Sequence, residues 1–446
     1  MWYVVSLFAL FIVGLLDGHI SSVAAMSLLY ALGLWSFNSI KEREERVQGG
    51  KVFGIVFSVY VISAFIASRS FLGGQYFYVS DSMKYIDLFG NVTAWSWTDV
   101  SITLQDTYLY FTDNNGLFNT SLSFWAYIAN RYFDGASVFY LTFFQTLFGV
   151  LASLEIFKIL SYYFDSRKAT KYACIFALLS LFHIYSIVII RDIVIAYFYM
   201  LGLRKIMGRP KISDLFVLLF VMLMATGVRL YTGLFFGAFI MFWAYKLIQD
   251  TRYAQYRIIL VPIIAAGIIF VGMAFASSVL IDSTAGQIES YDEKYSELSG
   301  TAVRLRGLPV GVRHIAMLFF SQLPLDSFHG LSIADSFSNY HLAILAIVYK
   351  LFGFVVFYGT IFHCFIKGFF KKMGFTEKWL LIIMLVFVAI TLSTHIDVRR
   401  SMEAIPIFFL VYLLSKESVG RTRWLKVNRI LMASGFLIMI TYAALK

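Results

Sequence analysis

The stretch "IYSIVIIRDIVIAYFYM" (residues 184–200) sets Arg191 and Asp192 side by side in a run that is otherwise almost wholly apolar. If residues 172–207 formed one helix, both charges would lie near the bilayer centre, at roughly 2.5–3.5 kcal/mol each on an insertion scale. The flanks argue against that. "DSRKATK" (165–171) and "LRKIMGRPK" (203–211) are short and basic, so both belong on the cytoplasmic side. Two crossings are required, and the stretch reads as a hairpin with Arg191 and Asp192 at its external tip.

The rest of the chain agrees with a membrane setting. Of 446 residues, 60% are hydrophobic, 18% aromatic and only 14% charged, against about 25% charged in an ordinary soluble domain. Apolar stretches recur from residue 3 to residue 445 with no long polar block, so the expected fold is all-α: a single polytopic transmembrane helix bundle over residues 1–446. The first stretch lacks a basic leader and a small-residue cleavage site and reads as a retained helix. Two cysteines, Cys174 and Cys364, sit in apolar segments and read as packing residues. The net charge of +11 would suggest nucleic acid in a soluble protein; here the topology accounts for it, and no nucleic-acid partner is expected.

At about 20 apolar residues per crossing, spans are expected near 3–16, 20–37, 52–70, 137–160, 172–190, 193–207, 213–228, 231–246, 258–281, 342–366, 379–394, 402–415 and 428–445, about 13 in all. The basic segments 41–51, 165–171, 203–211, 246–257, 367–378 and 416–426 fall on alternate turns of this thread. All six are assigned to the cytoplasm, together with the N-terminus. Two long external loops remain, about 71–136 and 282–341, whose aromatic and apolar runs, such as "HIAMLFFSQL" (314–323), suggest short interfacial helices. No internal repeat is visible, which weighs against an inverted-repeat carrier.

The same reasoning puts Arg229 in "MATGVRLYTGLFF" (224–236) and Arg399 and Arg400 in "THIDVRRSMEAIP" (394–406) at external turns. Three hairpin tips thus present arginine on the side where the positive-inside rule disfavours it. One explanation is local neutralisation: Arg191 by Asp192, and Arg399 or Arg400 by Asp397 or by Glu403 one turn along. Arg229 has no acid nearby in sequence, so its ordinary alternative is snorkelling to lipid phosphate. The functional explanation is a basic rim that holds an anion, since the guanidinium fork suits phosphate oxygens. Arg304, Arg306 and Arg313 in the second loop would either close over the same anion or form a solvated basic face.

No nucleotide-binding loop is present, the seven histidines are scattered, and acid clusters suited to magnesium are missing, so neither metal nor cofactor is expected. A carboxylate at the external surface would serve as general base. Asp81 in the aromatic-rich "YFYVSDSMKYIDLFGN" (76–91) is the first candidate, with a helix N-cap as its alternative role. Asp192 and Asp326 are further candidates.

The acidic aromatic loop with "DSMKY" (81–85) and "FNTSLSFWAYIANRYF" (118–133), the hairpin "SIVIIRDIVIAYFYMLGLRK" (186–205), "GVRLYTGL" (227–234), and "RLRGLPVGVRHIAMLFFSQLPLDSF" (304–328) followed by "DVRRSMEAIP" together resemble the Wzy-type polymerases of bacterial O-antigen and capsule. The resemblance is an arrangement of features, and a paired Arg-x10-Gly motif of some such polymerases has no match here. It implies a metal-independent membrane glycosyltransferase that joins undecaprenyl-pyrophosphate-linked repeat units outside the bacterial inner membrane. Its implied partners are the lipid-linked glycan, the lipid bilayer and a chain-length regulator protein. In catalysis it would place Asp81, Asp192, Arg191 and Arg229. In substrate binding it would place Arg304, Arg306, Arg313, His329, Arg399, Arg400 and Tyr231. The hairpins also resemble transferases of the GT-C type, which use polyprenyl-phosphate sugars and for which Asp81 would suit the catalytic acid. An O-antigen ligase, leaning on His329 or His314, is a third relative. From another class, a lipid-linked oligosaccharide flippase would need a similar number of helices but would place ionisable residues near the midplane.

Overall fold

The computed structural model describes residues 2–19, 22–40, 42–70, 116–133, 135–249, 309–325, 327–394 and 398–445. Among these the chain is helical, without a strand. The elements are α1 (Trp2–Asp17), α2 (Ser22–Trp35), α3 (Arg43–Ser68), α4 (Gly116–Tyr132), α5 (Val138–Leu160), α6 (Ser166–Leu179), α7 (Leu181–Ser186), α8 (Asp192–Met207), α9 (Asp214–Val228), α10 (Leu230–Gln249), α11 (Val310–Phe320), α12 (His329–Ile333), α13 (Phe337–Ile361), α14 (Phe369–Lys372), α15 (Phe375–Thr394), α16 (Ile405–Val419) and α17 (Arg421–Leu445). A π-helical turn, Phe362–Ile366, extends α13, and a 3-10 turn, Val398–Ser401, precedes α16.

In lipid every backbone polar group must be satisfied within the protein, which is why a chain this apolar resolves into helices. Among the described residues four helices are long and apolar enough to cross a membrane: α3, α5, α13 with its π-helical extension, and α17. Helices occupy each of the other apolar stretches expected from the sequence except 258–281, which lies outside the described residues. Sequence-local caps start several of them. Ser137 Oγ accepts from the Tyr140 N–H at 3.0 Å to open α5, and Ser336 Oγ accepts from Asn339 at 3.3 Å to open α13.

The described parts of the six basic segments are brought to one end of the bundle. Ser166 Oγ lies 3.4 Å from Glu44, Lys416 Nζ reaches the Tyr172 hydroxyl at 3.3 Å, and Lys246 donates to the Gly208 carbonyl at 2.8 Å. Tyr163 donates to Glu377, and Tyr245 packs its ring on Phe375 at 5.9 Å. Burial, with the Glu377 carboxylate beside it, pushes the Tyr163 hydroxyl well above its ordinary range, so it stays a donor at neutral pH.

Two expectations need correction. The stretch 172–190 is not one helix. It breaks at Ser180, whose backbone is extended and whose Oγ accepts from Phe182 at 3.2 Å, and after α7 residues 187–190 are irregular yet buried. The serine offers the chain a second helix start, and surrounding helices cover the freed backbone. Secondly, α11 does not lie flat at an interface. It packs against α15, and its last turn reaches Tyr358, whose hydroxyl donates to the Phe319 carbonyl at 2.8 Å. Tyr358 lies roughly 30 Å along α13 from Phe337 at 1.5 Å per residue. Residues 309–336 therefore run deep along the bundle and return.

The turn between α9 and α10 is made by Arg229 alone, so the two helices must approach closely. A Cβ at Gly233 would stand 2.6 Å from the backbone of Thr226 and closer still to its hydroxyl. Gly233→Val is expected to splay the hairpin and destabilise the protein by about 1–3 kcal/mol. A fall in the detergent-solubilised melting temperature checks this, and an unchanged melt would contradict the packing.

Candidate functional site

Three turns meet inside the bundle. The first is the start of α8, where Asp192 occupies the first helical position and the Arg191 carbonyl accepts from Val194 at 3.0 Å. An acid at a helix start is favoured by the helix dipole. The second is Arg229, which leaves α9 in an extended conformation (φ −158°, ψ 111°). Its N–H donates to Ala225 at 2.8 Å and its carbonyl accepts from Thr232 Oγ1 at 2.6 Å, so both backbone groups are used in the hairpin. The third is the turn before α16, where Glu403 precedes a helix started by Pro406.

These turns are joined by charge. Arg229 Nη2 donates to Asp192 Oδ1, and Arg229 Nη1 stands 4.0 Å from Glu403 Oε1. The Asp192 and Arg229 side chains are each 2% exposed and that of Glu403 is 1%. Two carboxylates thus bracket one guanidinium out of contact with solvent, and half-buried Arg191 and Arg399 lie beside them in sequence. Removing one member of a buried pair typically costs about 3–5 kcal/mol, because the other is left charged in a poor solvent.

The cluster is recessed. Helices α5 and α8 run parallel: Phe148 meets Tyr197 with ring centroids 5.4 Å apart, and Glu155 Oε2 binds Arg204 Nε at 2.5 Å. That register aligns Asp192 with Phe143, roughly 8 Å inside the start of α5. At the basic end of the same two helices, buried Glu155 also holds Lys158 Nζ at 2.6 Å. This second cluster stands roughly 18 Å from Asp192 along α8. Helix α8 is therefore pinned by ion pairs at both ends.

The sequence-derived residues fall as follows. Asp192 and Arg229 are brought together, across 37 residues, and are committed to each other. The expectation that Arg229 snorkels to lipid gives way, because Asp192 supplies its counter-charge from another hairpin. Asp192 does not stand exposed at an outer surface, because the protein covers it, while Arg191 is half-buried. Arg399 lies in the 3-10 turn, as does the backbone of Arg400; Tyr231 falls in α10, Arg313 in α11, and His329 opens α12. The side chains of Arg400, Tyr231, Arg313 and His329, and all of Asp81, Arg304, Arg306 and Asp326, lie outside what the structure describes. Among the described residues no group of three or more His, Cys, Asp or Glu is placed to hold a metal ion. Sequence reasoning took Glu403 only as a local neutraliser of its own turn, used Arg204 only as part of the basic segment 203–211, and passed over Glu155 and Lys158. The i,i+3 spacing of Glu155 and Lys158 was the one available signal for the second cluster.

No sequence profile of a known family matches the chain, no curated protein is detectably similar to it, and no solved structure matches it. The functional reading rests on the site itself.

The Asp192–Arg229 pair yields a double-mutant cycle. Asp192→Leu and Arg229→Met are each expected to destabilise by about 3–5 kcal/mol, and the double mutant by less than their sum, with a coupling above about 1 kcal/mol. Additive losses in detergent melts would show that the two residues do not act as a pair.

Proposed function

We propose that the chain is a membrane glycosyltransferase that polymerises undecaprenyl-pyrophosphate-linked oligosaccharide repeat units at the outer face of a bacterial inner membrane. The observation that carries this reading is the meeting of three arginine-bearing turns in one recess away from the basic end of the bundle. On this reading the chain crosses about 13 times, the basic end and the N-terminus are cytoplasmic by the positive-inside rule, and the recess opens to the periplasm. The segments 71–136 and 282–341 then lie outside, and the glycan and a chain-length regulator are partners on that face.

On this reading the residues take different roles. Arg229 is held by Asp192 and Glu403, so it supports the turns as a positioning residue. Arg191 and Arg399, half-buried at the same turns, are the residues assigned to phosphate oxygens, where a planar bidentate donor is favoured. Glu403, a carboxylate at the same three turns, joins Asp192 and Asp81 as a candidate base. No metal is assigned a role.

One observation favours a second reading. The ionised cluster is recessed among helices, and buried charges on interrupted helices are the arrangement used to move polar cargo across a membrane. A flippase for the same lipid-linked glycan would use the recess as a translocation site.

The lipid-linked intermediates of a deletion strain separate these readings. Single complete repeat units on the outer leaflet are expected for a lost polymerase. Incomplete repeats would point to a lost single-sugar transferase, such as one using a polyprenyl-phosphate donor, and complete repeats trapped on the inner leaflet would point to a lost flippase. In the purified protein, Arg191→Ala and Arg399→Ala are each expected to lower polymer formation at least tenfold while leaving the melting temperature near wild type. Wild-type chain lengths in both would overturn the assignment of phosphate contacts.

A further inference from the structure

Charge is spread unevenly around the basic end of the bundle. In 41–51 four cations stand among Glu42, Glu44 and Glu45, while Asp165 holds Lys168 at 3.0 Å and Asp214 holds Lys205 at 2.8 Å. The stretches 367–378 and 416–429 differ: together they carry nine Lys and Arg against two acids, Glu377 and Glu417. Glu377 already accepts from Tyr163, and among the described residues no cation of either stretch is in an ion pair.

The two stretches form one patch. Gly435 is packed against Leu351 and Phe354, and Gly359 against Leu431, so α13 and α17 run antiparallel and the start of α17 stands beside the end of α13. Gly359 also meets Tyr412 of α16, whose ring lies 4.8 Å from that of Trp424 between centroids. Helix α14 and the π-helical turn pack against α16 as well. Lys367, Lys371, Lys372, Arg421, Arg423 and Lys426 are exposed there.

The surroundings suit a bilayer interface. The ammonium of Lys367 lies 5.5 Å from the Phe362 ring and that of Lys416 5.5 Å from Trp424, within cation–π range. Phe365, Phe375 and Trp379 are exposed among the lysines, and aromatic rings favour the headgroup layer. Beyond the patch α17 presents Ile430, Leu437 and Ile440 outward, and it is the least covered of the four long apolar helices. A soluble acidic partner would use the charge and leave the apolar surface uncovered. A phospholipid uses both.

We infer that this end of α13 and α17 is a binding surface for the phosphodiester head of an anionic phospholipid. Lys367, Lys371 and Lys372 stand on one side of the head and Arg421, Arg423 and Lys426 on the other, where guanidinium suits phosphate oxygens, and the acyl chains lie along α17. The inference needs the chain to lie in a bilayer and does not depend on the reaction it carries out.

The test uses the full chain, delipidated in dodecyl maltoside and given phosphatidylglycerol or phosphatidylcholine, with bound lipid counted by native mass spectrometry. Wild type is expected to bind phosphatidylglycerol at least about tenfold more tightly than phosphatidylcholine and to lose that preference at high salt. Two patch variants are used, all at exposed positions so that folding is expected to survive: Arg421→Gln with Arg423→Gln and Lys426→Gln, and Lys371→Gln with Lys372→Gln. Each should weaken phosphatidylglycerol binding at least about fivefold and leave phosphatidylcholine binding and the lipid-free melting temperature unchanged. Arg43→Gln with Arg209→Gln removes two cations outside the patch and is expected to bind like wild type. Equal binding of the two lipids by wild type overturns the inference, as does unchanged phosphatidylglycerol binding in either patch variant. An equal loss in the Arg43 and Arg209 control would assign the preference to total charge, and that also overturns it. None of these outcomes bears on the polymerase reading, which the deletion-strain intermediates decide.

Discussion

A guanidinium removed from water inside a helix bundle has to be matched by carboxylate, and Arg229 is matched by two. Because Asp192 comes from the start of α8 and Glu403 from the approach to α16, satisfying one charge draws three turns to one point. Helices α8 and α16 begin at this cluster and α9 ends at it. The irregular backbone at 187–190 is tolerable because it is covered by protein, and non-helical backbone at membrane depth survives only where protein or a polar cavity receives it.

The second ion cluster makes the first one rigid. Glu155 on α5 receives both Lys158 and Arg204, so the basic end of α8 is fixed against the same helix that sets the depth of Asp192. The dipole of α8 agrees with both placements, with an acid at its start and Arg204 and Lys205 in its last turn. A helix held at both ends has little freedom to slide, so the groups at the turn are presented in a fixed geometry. That is the condition under which oriented charges act strongly on a bound anion, since no reorganisation is required when it arrives.

The all-helical, apolar character of the chain was legible in its sequence because it depends on averages. Long apolar runs and short basic turns are collective signals, and the gathering of the described parts of the six basic segments at one end follows from them. The chain break at Arg191 and Asp192 was legible too, but the cost argument about two charges put them at an outer surface, whereas Asp192 is buried against Arg229. What escaped was pairing. Arg229 and Asp192 are 37 residues apart on different hairpins, and no periodicity links them. The break at Ser180 was hidden because serine is common in membrane helices, and only the packing decides whether it caps or continues.

The depth of the cluster bears on mechanism more than the number of crossings does. Asp192 lies roughly 18 Å from Arg204 along α8, which leaves it inside a hydrocarbon layer about 30 Å thick if Arg204 marks one boundary. A lipid carrier anchored in the opposite leaflet would bring its phosphates close to the headgroup layer, above this level. A recess is then required to lower the reacting groups away from bulk water, where charge interactions strengthen. The 309–336 segment supplies one wall of that recess, because it descends past Lys350 to Tyr358 and returns. A transporter would need the opposite limb of its pathway to open toward the basic end. There Glu155 holds α5 and α8 together through Lys158 and Arg204, and a transferase acting from the recess has no need to open that contact.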